Sequence, residues 1–278
     1  MIRIVTDSNA DLSAEQARQL GVSGMGYSYV NFGDKSYRTQ VELSNDQFQA
    51  MLKSNPIFPK TSAPSVGDYV DVYERLKGDE VISIHISRDL SGTIGSAETA
   101  MHMMNGDPKI EMVDTRMINA GQVLFVAEAR RLIDEGANLA AVKAHLESLV
   151  SRCRMHILFD TLENLKRGGR VGSAQAFIGG LLNMKPILTI KGGKIEPLER
   201  VRTASKAVAR LKEIVVSDLK DAPSPRLMVM HAAVPANAEQ LAADLVGLLK
   251  IDKPMIIEAG PAVATHSGPG ALGVAYFV

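Results

Sequence analysis

Residues 80–104, EVISIHISRDLSGTIGSAETAMHMM, decide the fold class of this 278-residue chain. The stretch opens with a short run of β-branched apolar side chains, which is typical of a strand buried on both faces of a parallel sheet. The run breaks at Ser91-Gly92-Thr93, and a helix pattern follows. A strand, a turn and a helix in this order are how a parallel sheet builds a binding site at the carboxyl ends of its strands.

The turn at Ser91-Gly92-Thr93 has a chemistry suited to an anion. Gly92 lets the backbone approach a ligand closely, and two hydroxyls stand beside the free amides of the helix start. Those amides and the positive end of the helix dipole favour a carboxylate or a phosphate. Serine is also common before a helix, so on this segment alone Ser91 as an N-cap without a ligand is the simpler interpretation.

Composition narrows the class of protein. Lys plus Arg and Asp plus Glu are both 31, which argues against a nucleic-acid binder that neutralises phosphates. Cys153 is the one cysteine, so a reducing compartment is favoured. Asp7 and Ser8 stand where a signal peptide would have its apolar core, and no run approaches the length of a membrane span. We therefore expect a cytoplasmic protein.

The order of predicted elements divides the chain in two. Residues 1–150 alternate strands and helices, which implies a parallel sheet with helices on its faces. Residues 151–278 mix helices with a hairpin at 185–190 and 194–201, which suggests an α+β domain. We also predict a strand at 26–32, a hairpin turning at Gly33-Asp34, and an apolar helix at 174–182.

Several polar segments follow predicted strands. Asp7-Ser8 and Asp114-Thr115 stand at strand ends, and Thr61-Ser62 is interpreted as the start of a helix near Pro64. Because parallel strands end at one edge of their sheet, these groups are expected to converge there.

The segment THSGPG at 265–270 reads as a histidine held in a rigid loop. His266 could bind a carboxylate, and binding an anion would favour its charged form. The spacing GPGALG at 268–273 fits GxGxxG, but too few residues follow it to complete a dinucleotide-binding unit. Arg170 and Arg202 are further candidates for binding an anion. On spacing alone, the simpler interpretation is that both side chains are solvated.

Taken together, these segments resemble the DegV family. The resemblance runs along most of the chain, through TDS at 6–8, TSAPS at 61–65, ISRDLSGT at 86–93, LKRGGRV at 165–171, LNMKPIL at 182–188, ERVR at 199–202 and HSGPG at 266–270. Two positions depart from the family pattern. Gly172 stands where Ser or Thr is more usual, and Ser267 stands where Thr is more usual.

The resemblance implies an α/β protein of two domains, a Rossmann-like parallel-sheet domain (1–150) and an α/β domain with a mainly antiparallel sheet (151–278). A long-chain fatty acid would lie in a tunnel between them. The apolar segment 174–182 could line this tunnel, and a core helix explains the segment equally well. The protein would present the acyl carboxylate to a separate fatty acid kinase that uses ATP. It would itself be non-catalytic, without a metal or other cofactor. The residues implied to hold the carboxylate are Thr61, Ser62, Ser91, Gly92, Thr93 and His266, and Arg170 and Arg202 would lie near the carboxyl end, facing the partner.

Two other functions remain open at this point. A lipid hydrolase or acyltransferase would use Ser91 or Ser62 with His266 and an aspartate such as Asp7, although the nucleophile-elbow motif of such enzymes is missing. A lipid sensor would bind the same ligand without a kinase partner.

Overall fold

The computed structural model describes residues 1–177 and 184–278. Within them, strands β1 to β13 are, in chain order, Ile2–Asp7, Val22–Gly26, Tyr29–Phe32, Lys35–Arg38, Lys60–Ser62, Glu80–His85, Lys109–Asp114, Cys153–Leu158, Met184–Lys191, Lys194–Arg202, Leu227–His231, Ile256–Glu258 and Leu272–Phe277. Helices α1 to α10 are Ala14–Gln19, Asn45–Ser54, Val66–Glu74, Thr93–Met103, Ala120–Asp134, Leu139–Leu149, Glu163–Arg167, Ala204–Leu219, Pro235–Leu249 and Pro261–Ser267. Two 3₁₀ segments are Ser8–Ala10 and Gly172–Phe177.

The first sheet is parallel, as the sequence predicts. Its strand order is β2-β1-β6-β7, and every neighbouring pair is parallel. Ile82, in the opening stretch, pairs with Ile4 on one side and with Glu111 on the other. Because β6 is flanked by strands and covered on both faces, its apolar side chains are fully buried.

The second sheet is mainly antiparallel, which confirms the fold class. Its order is β10-β9-β8-β13-β11-β12, and only the edge strand β12 runs parallel to its neighbour. The hairpin predicted at 185–190 and 194–201 is formed by β9 and β10. All strands of this sheet follow residue 150, whereas those of the first sheet precede it. The domain boundary itself stays a prediction.

Helix α5 lies between the two sheets. It contacts β1 and β6 of the first and β11 and β13 of the second. The ring of Phe125 on α5 meets that of Phe277 edge-on, at 5.3 Å between centroids. One buried apolar cluster therefore contains Ile4 and Ile84 from the first sheet together with Met230 from the second.

A third, small sheet has the order β4-β3-β5 and is antiparallel. The turn predicted at Gly33-Asp34 joins β3 to β4. Helix α10 packs on β3 and β5. This contact brings residues 261–267 against residues near position 61.

One predicted strand was wrong, and one predicted helix differs from the structure over the residues that the structure describes. The strand predicted at 26–32 is two strands, and β2, which pairs with β1, was not predicted. The apolar helix predicted at 174–182 begins instead as the 3₁₀ segment Gly172–Phe177, and residues 178–183 lie outside the described part of the chain.

Capping boxes open three of the described helices. Ser13 and Gln16 form the first, at α1. The second and third, at Ser44 and Ser65, open α2 and α3. These reciprocal hydrogen bonds satisfy amides that the first helical turn leaves free.

Candidate functional site

A cavity of about 90 Å³ lies beside the carboxyl end of β1, between the first sheet, β5 and α10. Its wall is part polar and part apolar. The lining residues are Asn9, Ser28, Thr61, Ser62, Ala63, Ile86, Leu90, Ser91, Gly92, Ile118, Arg170, Ile195, Ala262, Val263 and His266. The structure therefore brings together six of the eight candidates named from the sequence, and the other two, Thr93 and Arg202, do not line the cavity.

Thr61 and His266 meet across this cavity although 205 positions separate them. The Oγ1 atom of Thr61 lies 2.9 Å from Nε2 of His266. Thr61 and Ser62 belong to β5 and not to a helix start, because α3 begins only at Val66 and is capped by Ser65. The interpretation of these two hydroxyls as helix-start groups was wrong.

His266 lies in the last turn of α10, so the predicted rigid loop was also wrong. Burial lowers the pKa of His266 to about 4, and the nearby positive charge of Arg170 acts in the same direction. The imidazole is consequently neutral near pH 7. Any hydrogen bond it makes there is that of a neutral ring, with one donor and one acceptor.

The second ring nitrogen of His266 faces Gly168. A Cβ atom on Gly168 would lie only 2.1 Å from Nδ1, so glycine permits this close approach. Nδ1 is buried and has no hydrogen-bond partner among the described residues. Nε2 is therefore the nitrogen that takes part in the site.

The Ser91–Thr93 turn contributes another part of the wall, through Ser91 and Gly92. Ser91 Oγ lies 2.8 Å from Thr93 Oγ1 and accepts a hydrogen bond from the Thr93 amide at 3.3 Å. The N-cap residue of α4 is Gly92, with no side-chain capping bond, so Ser91 is not the N-cap. Ser91 and Gly92 line the cavity, whereas Thr93 is buried behind them.

The remaining candidates lie at the rim or farther away. Ser62 is exposed and accepts a hydrogen bond from Asn31 at 3.0 Å. Arg170 is exposed, and its Nη1 atom donates to the Gly168 carbonyl at 2.9 Å. It lines both the cavity and an adjoining surface groove of about 450 Å³. Arg202, at the end of β10, is exposed and lines neither of the two.

Two polar lining residues, Asn9 and Ser28, were not predicted. Asn9 follows Asp7-Ser8 at the end of β1. The expectation that polar groups at the ends of parallel strands converge could therefore have identified it. Its side-chain amide donates to Asp7 Oδ1 at 2.7 Å and to Ser28 Oγ at 3.3 Å. Ser28 precedes β3 and has no comparable signal in the sequence.

Asp7 anchors a buried polar network behind the cavity. Its Oδ2 atom accepts hydrogen bonds from the Ile86 amide at 3.1 Å and from Gln122 at 3.1 Å, and it lies 3.0 Å from His85 Nδ1. His85 Nε2 in turn lies 2.8 Å from Ser83 Oγ. Ser83, His85 and Asp7 thus have the relative positions of a hydrolase triad.

That triad has no access to a substrate. Ser83 and His85 are fully buried, and neither lines the cavity. Asp7 contacts His85 and not His266, so the geometry does not support a hydrolase built on Asp7 and His266. Among the described residues, no group of three or more His, Cys, Asp or Glu side chains is placed to hold a metal ion. None of the helices described is both long and apolar enough to cross a membrane.

The fold and the cavity define an α/β protein with a parallel sheet, a mainly antiparallel sheet and a small third sheet, and with a part-apolar, hydroxyl-lined site whose lining residues lie in or next to all three. A model of the family described as "Uncharacterised protein, DegV family" matches residues 1–278. A DegV domain-containing protein of Halalkalibacterium halodurans is 40% identical, with 100% of this chain and 98% of that protein covered. The chain belongs to the DegV family.

Solved structures similar to this chain include fatty-acid-binding proteins. A DegV family protein from Thermus thermophilus, described by its fatty acid binding, is 35% identical with a TM-score of 0.92, and 99% of each chain is covered. DegV of Bacillus subtilis, described as a fatty acid binding protein, is 34% identical with a TM-score of 0.87, covering 99% of this chain and 98% of that one. A stearic acid-binding protein from Eubacterium ventriosum is 26% identical with a TM-score of 0.91, covering 100% and 98%.

Proposed function

We propose that this protein binds a long-chain fatty acid between its two sheets and presents the carboxylate to a separate kinase that forms the acyl phosphate. The observation that carries the proposal is the hydroxyl and imidazole pair, Thr61 and His266, placed with the Ser91–Gly92 turn in one part-apolar cavity. Its relatives of known structure support the choice of ligand, since they are described as binding fatty acids.

The head group would be held by neutral donors. The neutral His266 ring donates from Nε2 to Thr61 Oγ1, because Nδ1 is packed against Gly168 and an unpaired N–H is rarely buried. The Thr61 hydroxyl then has its own proton free for the carboxylate. Ser91 adds a second hydroxyl, and the amides at the start of α4 add the positive end of a helix dipole.

The acyl chain would supply most of the affinity. Burying about sixteen carbons at roughly 0.8 kcal/mol per CH₂ offers on the order of 10 kcal/mol before ordering costs. This outweighs the desolvation of one carboxylate if that group is fully hydrogen-bonded. Specific hydroxyls would therefore orient the ligand, and its length would set the strength of binding.

A long chain needs more room than the present cavity has. The cavity of about 90 Å³ is smaller than the roughly 300–1,000 Å³ of sites that enclose drug-sized ligands. We infer that apolar wall residues separate to form the tunnel when the ligand enters. The residues in that wall are Ile86, Leu90, Ile118, Ile195, Ala262 and Val263.

The kinase would reach the carboxylate through the adjoining groove. Ser91, Gly92 and Arg170 line both the groove and the cavity, so an acyl carboxylate held there would be next to an open surface. In this proposal Arg170 would attract the phosphate groups of the donor nucleotide, and Arg202, farther along β10, would face the partner. The protein would act without a cofactor, as a non-catalytic cytoplasmic carrier.

Native mass spectrometry of the purified protein tests the ligand. We expect a non-covalent fatty acid that is lost on denaturation. Thr61→Val should weaken fatty acid binding about tenfold or more, since a hydrogen bond to a charged group is removed, whereas Thr61→Ser should bind nearly as well. A covalent acyl-serine, or ester turnover lost in Ser91→Ala, would instead establish the hydrolase.

A second experiment tests the partner. Adding a bacterial fatty acid kinase and ATP to the loaded protein should produce acyl phosphate. Arg170→Ala should lower its formation while fatty acid binding is retained. Loaded protein that yields no acyl phosphate with any such kinase would favour the lipid sensor.

A further inference from the structure

The tip of the β9–β10 hairpin is held against the turn that carries Ser91. The Ser87 hydroxyl donates to the Gly193 carbonyl at 2.7 Å, and the Arg116 guanidinium donates to the Gly192 carbonyl. Arg116 also forms an ion pair with Asp89. We call Ser87, Arg116, Gly192 and Gly193 the hairpin latch. It joins the second sheet to a loop of the first.

Ser87 links this latch directly to the cavity wall. Its carbonyl accepts hydrogen bonds from the amides of Leu90 at 3.0 Å and Ser91 at 3.1 Å. Both of these residues line the cavity. A single buried serine thus shapes the turn that presents Ser91 and ties that turn to the hairpin.

The hairpin supplies the facing wall. Lys194 lies 3.8 Å from Asp89, and the next residue, Ile195, lines the cavity. Leu90 and Ile195 therefore reach the cavity from the two sides of the latch.

Space on both sides of the tip allows it to move. A cleft of about 950 Å³ is lined by Arg116, Gly192 and Gly193, and the groove of about 450 Å³ is lined by Asp89 and Lys194. The side chains of Arg116 and Asp89 are 29% and 27% exposed, so water can replace their mutual contact. Opening the latch at the tip itself breaks two hydrogen bonds and a partly exposed ion pair, whereas the apolar packing of the hairpin begins next to the tip, at Ile190 and Ile195.

We propose that the hairpin latch controls entry of the ligand to the cavity, with Ser87 and Gly193 as positioning residues for the Ser91 turn. The proposal rests on the proposed function for the identity of the ligand, a fatty acid. Closing the latch holds Leu90 and Ile195 across the cavity, and opening it widens the passage between the two sheets. The latch acts on the rates of ligand entry and release through the geometry of the turn.

Two neighbouring glycines provide a matched test. Both have positive φ, 56° at Gly192 and 82° at Gly193, so alanine strains the backbone at either position. A Cβ at Gly193 would lie 2.5 Å from Ser87 Oγ and 2.6 Å from Arg116 Nε, whereas one at Gly192 would meet nothing within 4 Å. Gly193→Ala opens the latch, and Gly192→Ala is its control. Ser87→Ala removes the same contact without backbone strain.

Stopped-flow release of a fluorescent fatty acid is the first measurement. We expect Ser87→Ala and Gly193→Ala to accelerate release about fivefold or more, as the loss of one hydrogen bond implies, relative to wild type and Gly192→Ala. Hydrogen exchange of the Leu90 and Ser91 amides in ligand-free protein should rise by a similar factor. Equal rates in Ser87→Ala and wild type, or in Gly193→Ala and Gly192→Ala, would overturn the proposal.

The two measurements separate the latch from the function. If the wild-type protein bound no fatty acid, the proposed function would fail, and the exchange of the two amides would still decide whether the latch controls the turn. If fatty acid bound normally and neither rate changed, only the latch would be wrong.

Discussion

At the scale of single residues, the site depends on keeping an imidazole neutral. His266 meets Thr61 through Nε2, and burial holds its pKa at about 4. A cation here would attract a carboxylate more strongly, but it would also have to be desolvated. The neutral pair gives direction to the Thr61 hydroxyl without adding a buried charge.

The lowered pKa of His266 makes stability depend on pH. Between pH 6.5 and about 4, the unfolded chain binds a proton on His266 that the folded protein does not bind. The free energy of unfolding is therefore unaffected by this group above pH 6.5, and it decreases as the pH falls from 6.5 toward 4. Urea unfolding at pH 7.5 and pH 5 measures this. His266→Gln should lose less stability than wild type over that interval, by up to about 2 kcal/mol. Equal losses would contradict a neutral buried ring.

The sequence alone goes only part of the way to this site. The Ser91–Thr93 turn could be predicted because strand, turn and helix are contiguous. The contact between Thr61 and His266 could not be predicted from local pattern, since it depends on α10 packing on β5. The family resemblance implied only that each of the two residues would hold the carboxylate. Neither the local pattern nor the family resemblance pointed to Ser28.

At the scale of elements, glycine and proline residues explain why β2 was not predicted and why α10 was predicted as a loop. In β2, Gly24 and Gly26 interrupt the apolar pattern of a strand, yet a Cβ at either would lie within 2.5 Å of Val72 or Tyr69 on α3. The glycines are the reason α3 can pack on this strand. The helix α10 looked like a loop because glycine and proline flank it, although Pro261 in its first turn is a regular helix-start signal.

The contact between α7 and α10 gives a prediction at this scale. Gly168 has an ordinary helical conformation, so Gly168→Ala adds only a methyl group, 2.1 Å from His266 Nδ1. We expect it to lower the free energy of unfolding by about 1–3 kcal/mol and to weaken fatty acid binding. Chemical denaturation and ligand titration measure the two effects.

Gly95 provides the control for that substitution. It lies inside α4, and a Cβ there would meet nothing within 4 Å. Gly95→Ala should stabilise the protein by about 1 kcal/mol through helix propensity. If Gly168→Ala behaved like Gly95→Ala, the close approach of Gly168 to the imidazole would be wrong.

At the scale of the whole molecule, the two sheets share one core. The alternation of strands and helices and the later hairpin predicted the two sheets separately. How they join was not predictable, because α5 has apolar residues around much of its surface and periodicity does not say which sheet each one faces. In the structure it faces both.

This shared core predicts cooperative unfolding. Phe125 is fully buried and packs on Phe277 of the second sheet, so Phe125→Ala should cost about 3–5 kcal/mol. Wild type and variant should each unfold in a single transition, with far-UV circular dichroism and tyrosine fluorescence changing together. Two separated transitions in the wild type would show that the sheets unfold as independent domains.

The buried Ser83, His85 and Asp7 also bear on how such proteins are classified. A search for serine hydrolases by the relative positions of three side chains would select this protein, since the two distances, 2.8 Å and 3.0 Å, fit the pattern. It would be a false match, because Ser83 sits within a central strand and is fully buried. Geometric templates for catalysis therefore need a term for the accessibility of the nucleophile, and DegV proteins that share this network offer a natural negative control for them.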